Sequence, residues 1–322
     1  MLMMAGVSAA PPGGAALTTS GASLRLDGRQ EFLLGVSLFG ALDAAPPRDE
    51  DLNALSQWGV KIVRVWAHWE QPIYQADGAL TAPGRARLLE LARRLQARGM
   101  VLELVLLRPG QLQGQPYAVF SSEAARIRAV TALTTALRDF RNVLFDLYNE
   151  HDHPRGPISH KAARVLRDAV KAVDPARVVT ISSTGGHLGG VGAQVGKEEE
   201  QNLREEAGTG PDSVAVDVVA PHFPRTDDWA GATGARITAV RAALERIGRQ
   251  LPIYLNEERR TDPPAVITPD AYRRAFSEAR DAGAAGWVFH TAAGFSLGQR
   301  PFLEALVPNE RAALPRMFDK PR

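Results

Sequence analysis

Cysteine is absent from the 322-residue chain, which removes disulfides, thiol nucleophiles and thiolate metal sites and leaves either redox compartment open. No apolar run approaches the roughly 20 residues that a bilayer-spanning helix needs. An excess of one charge is lacking too. Lys and Arg number 38 against 36 Asp and Glu, a net charge of +2, so the balance gives no pointer to a nucleic-acid partner. Lys is scarce and Arg supplies most of the basic residues; in so Ala-rich a chain that bias reflects GC-rich coding rather than mechanism. What is present is ordinary globular composition, 45% hydrophobic and 23% charged, which excludes a wholly disordered or collagen-like chain. The length suits one large α/β barrel or two average domains.

Residues 1–23 read as a flexible leader. They contain no Lys or Arg, and Pro11, Pro12, Gly13 and Gly14 interrupt the apolar stretch, whereas a secretory signal needs a basic start and an unbroken apolar run. Such a segment is expected to add little to the core. Localisation stays open: secreted or periplasmic in a bacterium if an upstream signal was trimmed, otherwise cytoplasmic. Residues 24–322 are expected to form one domain.

Within that domain LRLDGRQEF reads as a short hairpin through Asp27 and Gly28. Apolar, β-branched runs then centre near residues 35, 63, 103, 145, 179, 217, 254 and 287, eight strands about 36 residues apart. Helical periodicity fills the gaps. Leu88, Leu91, Ala92 and Leu95 share one face, as do Ile127, Val130, Leu133 and Leu137, and Val165, Leu166, Ala169 and Val173. The pattern returns in Ile237, Val240, Leu244 and Ile247, then in Tyr272, Ala275, Phe276 and Ala279. Gly59 and Gly99 fit helix ends, and Ser159 and Thr268 fit N-caps. The connection at 185–212 is expected to be a Gly-rich mobile loop followed by a short helix. Strands joined by amphipathic helices form a parallel sheet covered on its outside, so the expected fold is α/β, a single (β/α)8 TIM barrel with a short N-terminal hairpin and a flexible leader. An open doubly wound sheet would carry a nucleotide loop after its first strand, where SLFGALDAAPP has none.

In such barrels chemistry sits where strands run into the βα loops. Those ends carry Arg64, Trp66, His68 and Trp69 on the second strand, Arg108 on the third, and Asn149 and Glu150 on the fourth, followed by His151, Asp152 and His153. His222 ends the sixth strand, Asn256, Glu257 and Glu258 the seventh, and Trp287 and His290 the eighth. Glu258 competes with Glu257 for a catalytic role. Ile253, Leu255 and Glu257 share one strand parity, so inward-pointing apolar residues would carry Glu257 into the barrel and turn Glu258 out.

With LFDLYNEHDH and PIYLNEERR on strands four and seven, supported by IVRVW, VVAPHFP and GWVFH, the chain resembles clan A of the retaining glycoside hydrolases, especially family 5. The resemblance implies a hydrolase acting on a β-linked glycan or glycoside, an oligo- or polysaccharide, without metal or organic cofactor. It implies Glu150 as acid/base, Glu257 as nucleophile, and Asn149 on the sugar hydroxyl next to the reacting carbon. It also implies Arg64 and His222 near the nucleophile and Trp287 stacked on sugar. Trp66, Trp69 and His290 are further candidates to line the substrate. The chain departs from the family pattern at Pro224, where Tyr is usual, at Arg108, where His is usual, and at His151, where Pro is usual.

Barrel geometry bears on the mechanism independently. Eight strands about 4.8 Å apart and tilted about 36° close at a radius near 7 to 8 Å. Glu side chains from opposite strands then bring their carboxylates about 5 to 6 Å apart, near the retaining separation of about 5 Å rather than the inverting 6.5 Å or more. Two other readings stay open. One is a metal-dependent barrel hydrolase built on His68, His151, Asp152, His153, His222 and His290, and the other is a barrel that binds carbohydrate without cleaving it.

Overall fold

The computed structural model describes residues 15–43, 45–114, 118–185, 195–261 and 266–319. Three short antiparallel strands, β1 (Leu17–Ser20), β2 (Ser23–Leu26) and β3 (Arg29–Gln30), precede the barrel. The barrel strands are β4 (Leu33–Ser37), β5 (Val60–Trp66), β6 (Val101–Val105), β7 (Val143–Asp146), β8 (Val178–Thr180) with its continuation β9 (Ser182–Ser183), β10 (Ala220–Pro221), β11 (Tyr254–Leu255) and β12 (Gly286–Phe289). A parallel sheet runs β11-β12-β4-β5-β6-β7-β8. Pairing of β9 with β10 and a parallel bridge between Val219 and Ile253 complete the ring. The expected (β/α)8 barrel is therefore what the chain forms.

Its outer layer contains α1 (Asp49–Gln57), α2 (Ala82–Gln96), α3 (Glu123–Ala136), α4 (His160–Val173), α5 (Lys197–Ala207), α6 (Trp229–Arg246) and α7 (Pro269–Asp281). Local chemistry sets their ends. The Ser159 and Thr268 side chains accept from the backbone of Ala162 and Ala271, and Pro269 takes a first-turn position where it sacrifices no hydrogen bond. After the Gly-rich stretch, which lies largely outside the described residues, α5 begins with Glu198, Glu199 and Glu200, a sign that suits a helix N-terminus. It ends at Gly208, whose φ of 88° favours glycine. Among the described residues no helix is long and apolar enough to cross a membrane.

Three sequence expectations need correction. On α4 the buried face is Ala163, Leu166 and Val170, while Val165 is exposed, because the stripe follows the i, i+3, i+7 spacing one residue away from the Val165 row. The sixth strand lies at its run's end. Val214 and Val216 donate to the Glu205 and Glu206 carbonyls of α5, so only the end of VAVDVVA reaches the sheet.

The third concerns the leader. Residues 1–14 lie outside the described residues, but β1 falls inside the stretch assigned to the leader and pairs with β2 through Leu17 and Leu26. Ala15, Leu17, Leu24 and Leu26 pack with Leu33, Ile62, Val101, Leu144, Val178, Val218 and Val288, inward residues near the strand starts. The small sheet is thus the floor of the barrel. Its Leu residues alternate with polar ones, the signature of a half-buried strand, which the Ala- and Gly-rich composition around them obscured.

Candidate active site

Above that floor the barrel interior becomes polar. Arg64 on β5 is fully buried and its guanidinium serves four acceptors: Glu103 Oε1 at 3.0 Å, Asp146 Oδ2 at 3.0 Å, Asn149 Oδ1 at 2.7 Å and Glu257 Oε2 at 2.8 Å. A buried guanidinium is tolerated only when paired in this way, and its planar fork fixes the orientation of each partner. Asn256 donates to Glu103 at 2.8 Å, and Tyr254 donates to the other Glu103 oxygen at 2.6 Å. Burial pushes the Glu103 carboxyl up to about 7 against the pull of Arg64.

The inward reach of Tyr254 and Asn256 overturns the parity argument drawn from Ile253 and Leu255. Those two pack outward among the helices. Glu257 still enters the barrel mouth because β11 ends at Leu255 and the chain beyond no longer alternates as a strand does. Glu258 is buried elsewhere, beside Arg225 and Arg236, with Oε1 unpartnered.

Glu150 and Glu257 meet at the mouth. Donor atoms of Glu150, His222 and Glu257 all lie within 4.8 Å of one another, so the two carboxylates stand at about the retaining separation. Glu150 has a φ of 51°, backbone strain of about 1 to 3 kcal/mol for a non-glycine residue. Hydrogen bonds to Ser182 from the Glu150 and His151 amides, at 3.1 and 2.9 Å, hold it there. The strain turns the side chain over the end of its strand, toward His222.

His222 spans Glu150 Oε1 and Asn256 Oδ1, each at 3.1 Å. Asn256 Oδ1 is an acceptor, since the Asn256 amide nitrogen already donates to Glu103, so His222 Nε2 donates to it while Nδ1 shares a proton with Glu150 Oε1, the ring being an imidazolium when it holds that proton. Burial opposes that charge, but Glu257 and Glu150 outweigh it and raise the His222 pKa. At Glu257, burial likewise opposes ionisation. His222, Arg64 and Arg225 override it and hold the carboxyl well below its ordinary value. Arg225 grips Glu257 Oε1 at 3.1 Å. His290 lies 3.8 Å from that oxygen and accepts from Arg260 at 2.7 Å. Burial, with Arg225, Arg260 and Arg64, keeps it well below its usual pKa despite Glu257, and hence neutral at pH 7.

The cleft above these carboxylates has a volume of about 260 Å³ and includes Trp66, Trp69, Arg108, Asn149 and Arg260 in its walls. Trp66 is buried between Phe39, stacked 3.8 Å away, and the Arg64 guanidinium 4.4 Å from its ring centre. It is wall rather than open platform. Trp69 is half-buried against Phe295 and Arg108, which leaves it the more accessible of the two indoles. Trp287 does not reach the cleft. It is fully buried on the outer side of β12, edge-on to Phe276 of α7, because Val288, not Trp287, has the inward parity. Sequence reasoning missed Arg225, Arg260, Phe39 and Phe295; each lies on a loop past a strand end, where no periodicity marks a side chain's direction.

The histidines expected to gather at one mouth separate instead. His68 packs against Tyr74, His151 turns to Glu206, and only His153, His222 and His290 border the cleft or its floor. At the mouth, Glu150, His222 and Glu257 have the spacing of metal ligands, yet both Glu257 oxygens are already held by guanidinium groups. A divalent ion there would meet two permanent cations, so the donor set does not suit a resident metal.

A family model described as cellulase (glycosyl hydrolase family 5) matches residues 27–285. Among curated proteins no sequence matches the chain. Solved structures share the fold at low identity. The endo-1,4-β-D-mannanase of Thermotoga petrophila RKU-1 is 15% identical, covers 81% of this chain and 88% of its own, and has a TM-score of 0.60. For the endo-1,4-β-mannanase of Eisenia fetida the values are 13%, 95%, 96% and 0.62. PbGH5A, a family 5 enzyme of Prevotella bryantii B14, gives 14%, 89%, 96% and 0.62. With the family model spanning most of the barrel, the chain belongs to glycosyl hydrolase family 5.

Proposed function

We propose that this hydrolase cleaves a β-linked polysaccharide by double displacement, with Glu257 as nucleophile and Glu150 as acid/base. The observation that supports this most is the pairing itself: two carboxylates within 4.8 Å, one gripped on both oxygens by guanidinium groups and the other bound to a histidine. Glu257 stays ionised and attacks the anomeric carbon. The proton shared between Glu150 and His222 goes to the departing oxygen, and the bond from the anomeric carbon to that oxygen breaks as the bond to Glu257 forms. The Glu257 charge is then consumed in the ester, and Glu150 takes a proton from the water that releases the sugar. Asn149 gives its Oδ1 to Arg64, which leaves its amide nitrogen to donate to a sugar hydroxyl.

The substrate class follows the solved neighbours. Those named above include mannanases, so a β-1,4-mannan is the first polymer to test, with cellulose-type glucans and aryl β-glycosides beside it. Purified protein should release reducing sugar from at least one of these, and Glu257→Ala should abolish the release. Glu150→Ala should still form the glycosyl-enzyme from aryl glycosides with good leaving groups, stall at its hydrolysis, and be rescued by azide. Full activity in both variants would refute the assignment.

A further inference from the structure

We propose that His151, His160 and Glu206 form a second, non-catalytic site that binds a divalent transition-metal ion of the zinc class. His151 follows Glu150 in the chain, His160 is the first residue of α4, and Glu206 lies in the last turn of α5. One donor atom from each lies within 4.8 Å of the other two. His151 Nε2 and Glu206 Oε1 are 3.2 Å apart, close to the edge of about 3.3 Å between two ligands of a tetrahedral zinc ion.

The second observation is His160 Nε2, which is shielded from solvent and has no hydrogen-bond partner. Its ring is tilted at 56° to that of His151 with centroids 4.9 Å apart, so the two do not simply stack. A buried imidazole nitrogen without a donor or acceptor carries a desolvation cost that a metal bond removes. The Ile158 amide donates to the His151 backbone carbonyl at 2.8 Å, which holds in place the main chain that carries the His151 ring.

Charge favours a cation at this place and not at the catalytic mouth. Glu206 and Glu199 are both buried, seven residues apart on α5 and so on one face of it. Among the described residues Glu206 pairs with His151 and with no Lys or Arg. Asp152 is excluded as a ligand because Thr184 occupies both of its oxygens at 2.7 and 2.8 Å. Two imidazoles and carboxylate oxygen are a donor set that suits zinc rather than calcium or magnesium. An ion so placed ties α4 and α5 to the segment that carries the strained Glu150.

The test uses the full-length protein stripped with EDTA, dialysed and titrated with zinc sulfate. One zinc per chain by elemental analysis is expected, with a rise in Tm of about 5 °C or more at saturation. His160→Gln, at a helix start where the helix tolerates it, should weaken binding by more than about 100-fold, beyond what loss of an outer-sphere contact costs. Glu206→Gln should do the same, with circular dichroism checking that each variant is folded. His222→Gln, which changes the catalytic mouth, should leave zinc binding intact. The proposal is overturned if the wild type retains no zinc and shows no Tm shift. Undiminished binding in both cluster variants, or loss of zinc in His222→Gln alone, would equally overturn it.

Discussion

Arg64 and Arg225 hold different oxygens of one carboxylate: Arg64 donates to Glu257 Oε2 at 2.8 Å from inside the barrel, and Arg225 donates to Oε1 at 3.1 Å from the loop beyond β10. Arg64 is fully buried and has three other acceptors, so it serves as scaffold as much as charge. Arg225 is partly exposed, and Glu257 is the partner it holds at the mouth.

Arg225 is therefore the place to move the Glu257 titration without dismantling the barrel. Removing one of two adjacent cations raises the Glu257 pKa, so the acid limb of the kcat/KM profile should shift to higher pH in Arg225→Gln. Activity at pH 5 should fall by about tenfold or more, and by less near neutrality. An unmoved acid limb would mean that Arg225 does not govern the ionisation.

Glu258 makes a second prediction. Burial raises its carboxyl from 4.5 to about 7, with Arg225, Arg236 and His222 opposing. The folded state thus keeps a proton that the unfolded chain has lost, and this group's effect is a decline in stability as pH rises from about 4.5 through 7. Glu258→Gln cannot ionise. Its Tm should match the wild type near pH 4.5 and exceed it increasingly up to pH 8, while activity remains substantial. A Tm difference that does not change with pH would contradict the buried, uncompensated carboxylate.

The barrel floor gives a third. Deleting residues 1–20 removes β1 together with Ala15 and Leu17, which are buried under the strand starts. Burial of a Leu side chain contributes about 1.5 to 3 kcal/mol and the strand pairing adds to it, so the Tm should fall by about 5 °C or more. A deletion that stops at residue 12 tests whether the loss belongs to the strand. If the longer deletion leaves Tm unchanged, the floor does not depend on β1.

How much of this was legible in the sequence follows from what encodes each feature. The eight strands and most helix faces were readable because burial on one or both sides writes a period into the chain, as in Ile237, Val240, Leu244 and Ile247. The strand-end positions of Glu150 and Glu257 followed from those strands. Trp287 was misplaced because a fully buried parallel strand is apolar on both faces, and GWVF has no alternation to show which residue points inward. The same blindness made Ile253 and Leu255 appear to face inward when Tyr254 and Asn256 do. Arg225 and Arg260 were invisible for another reason: a loop residue's direction is set by tertiary context, and an Arg there reads the same whether it faces solvent or a carboxylate.

Double displacement at Glu257 and Glu150 is tested most directly by the configuration of the first sugar released. Proton NMR of a reaction started with a β-linked substrate, read before mutarotation, should show the β-anomer of the new reducing end appearing first and decaying later to the equilibrium mixture. Initial appearance of the α-anomer would mean direct attack by water, and the two carboxylates could not hold the roles assigned to them.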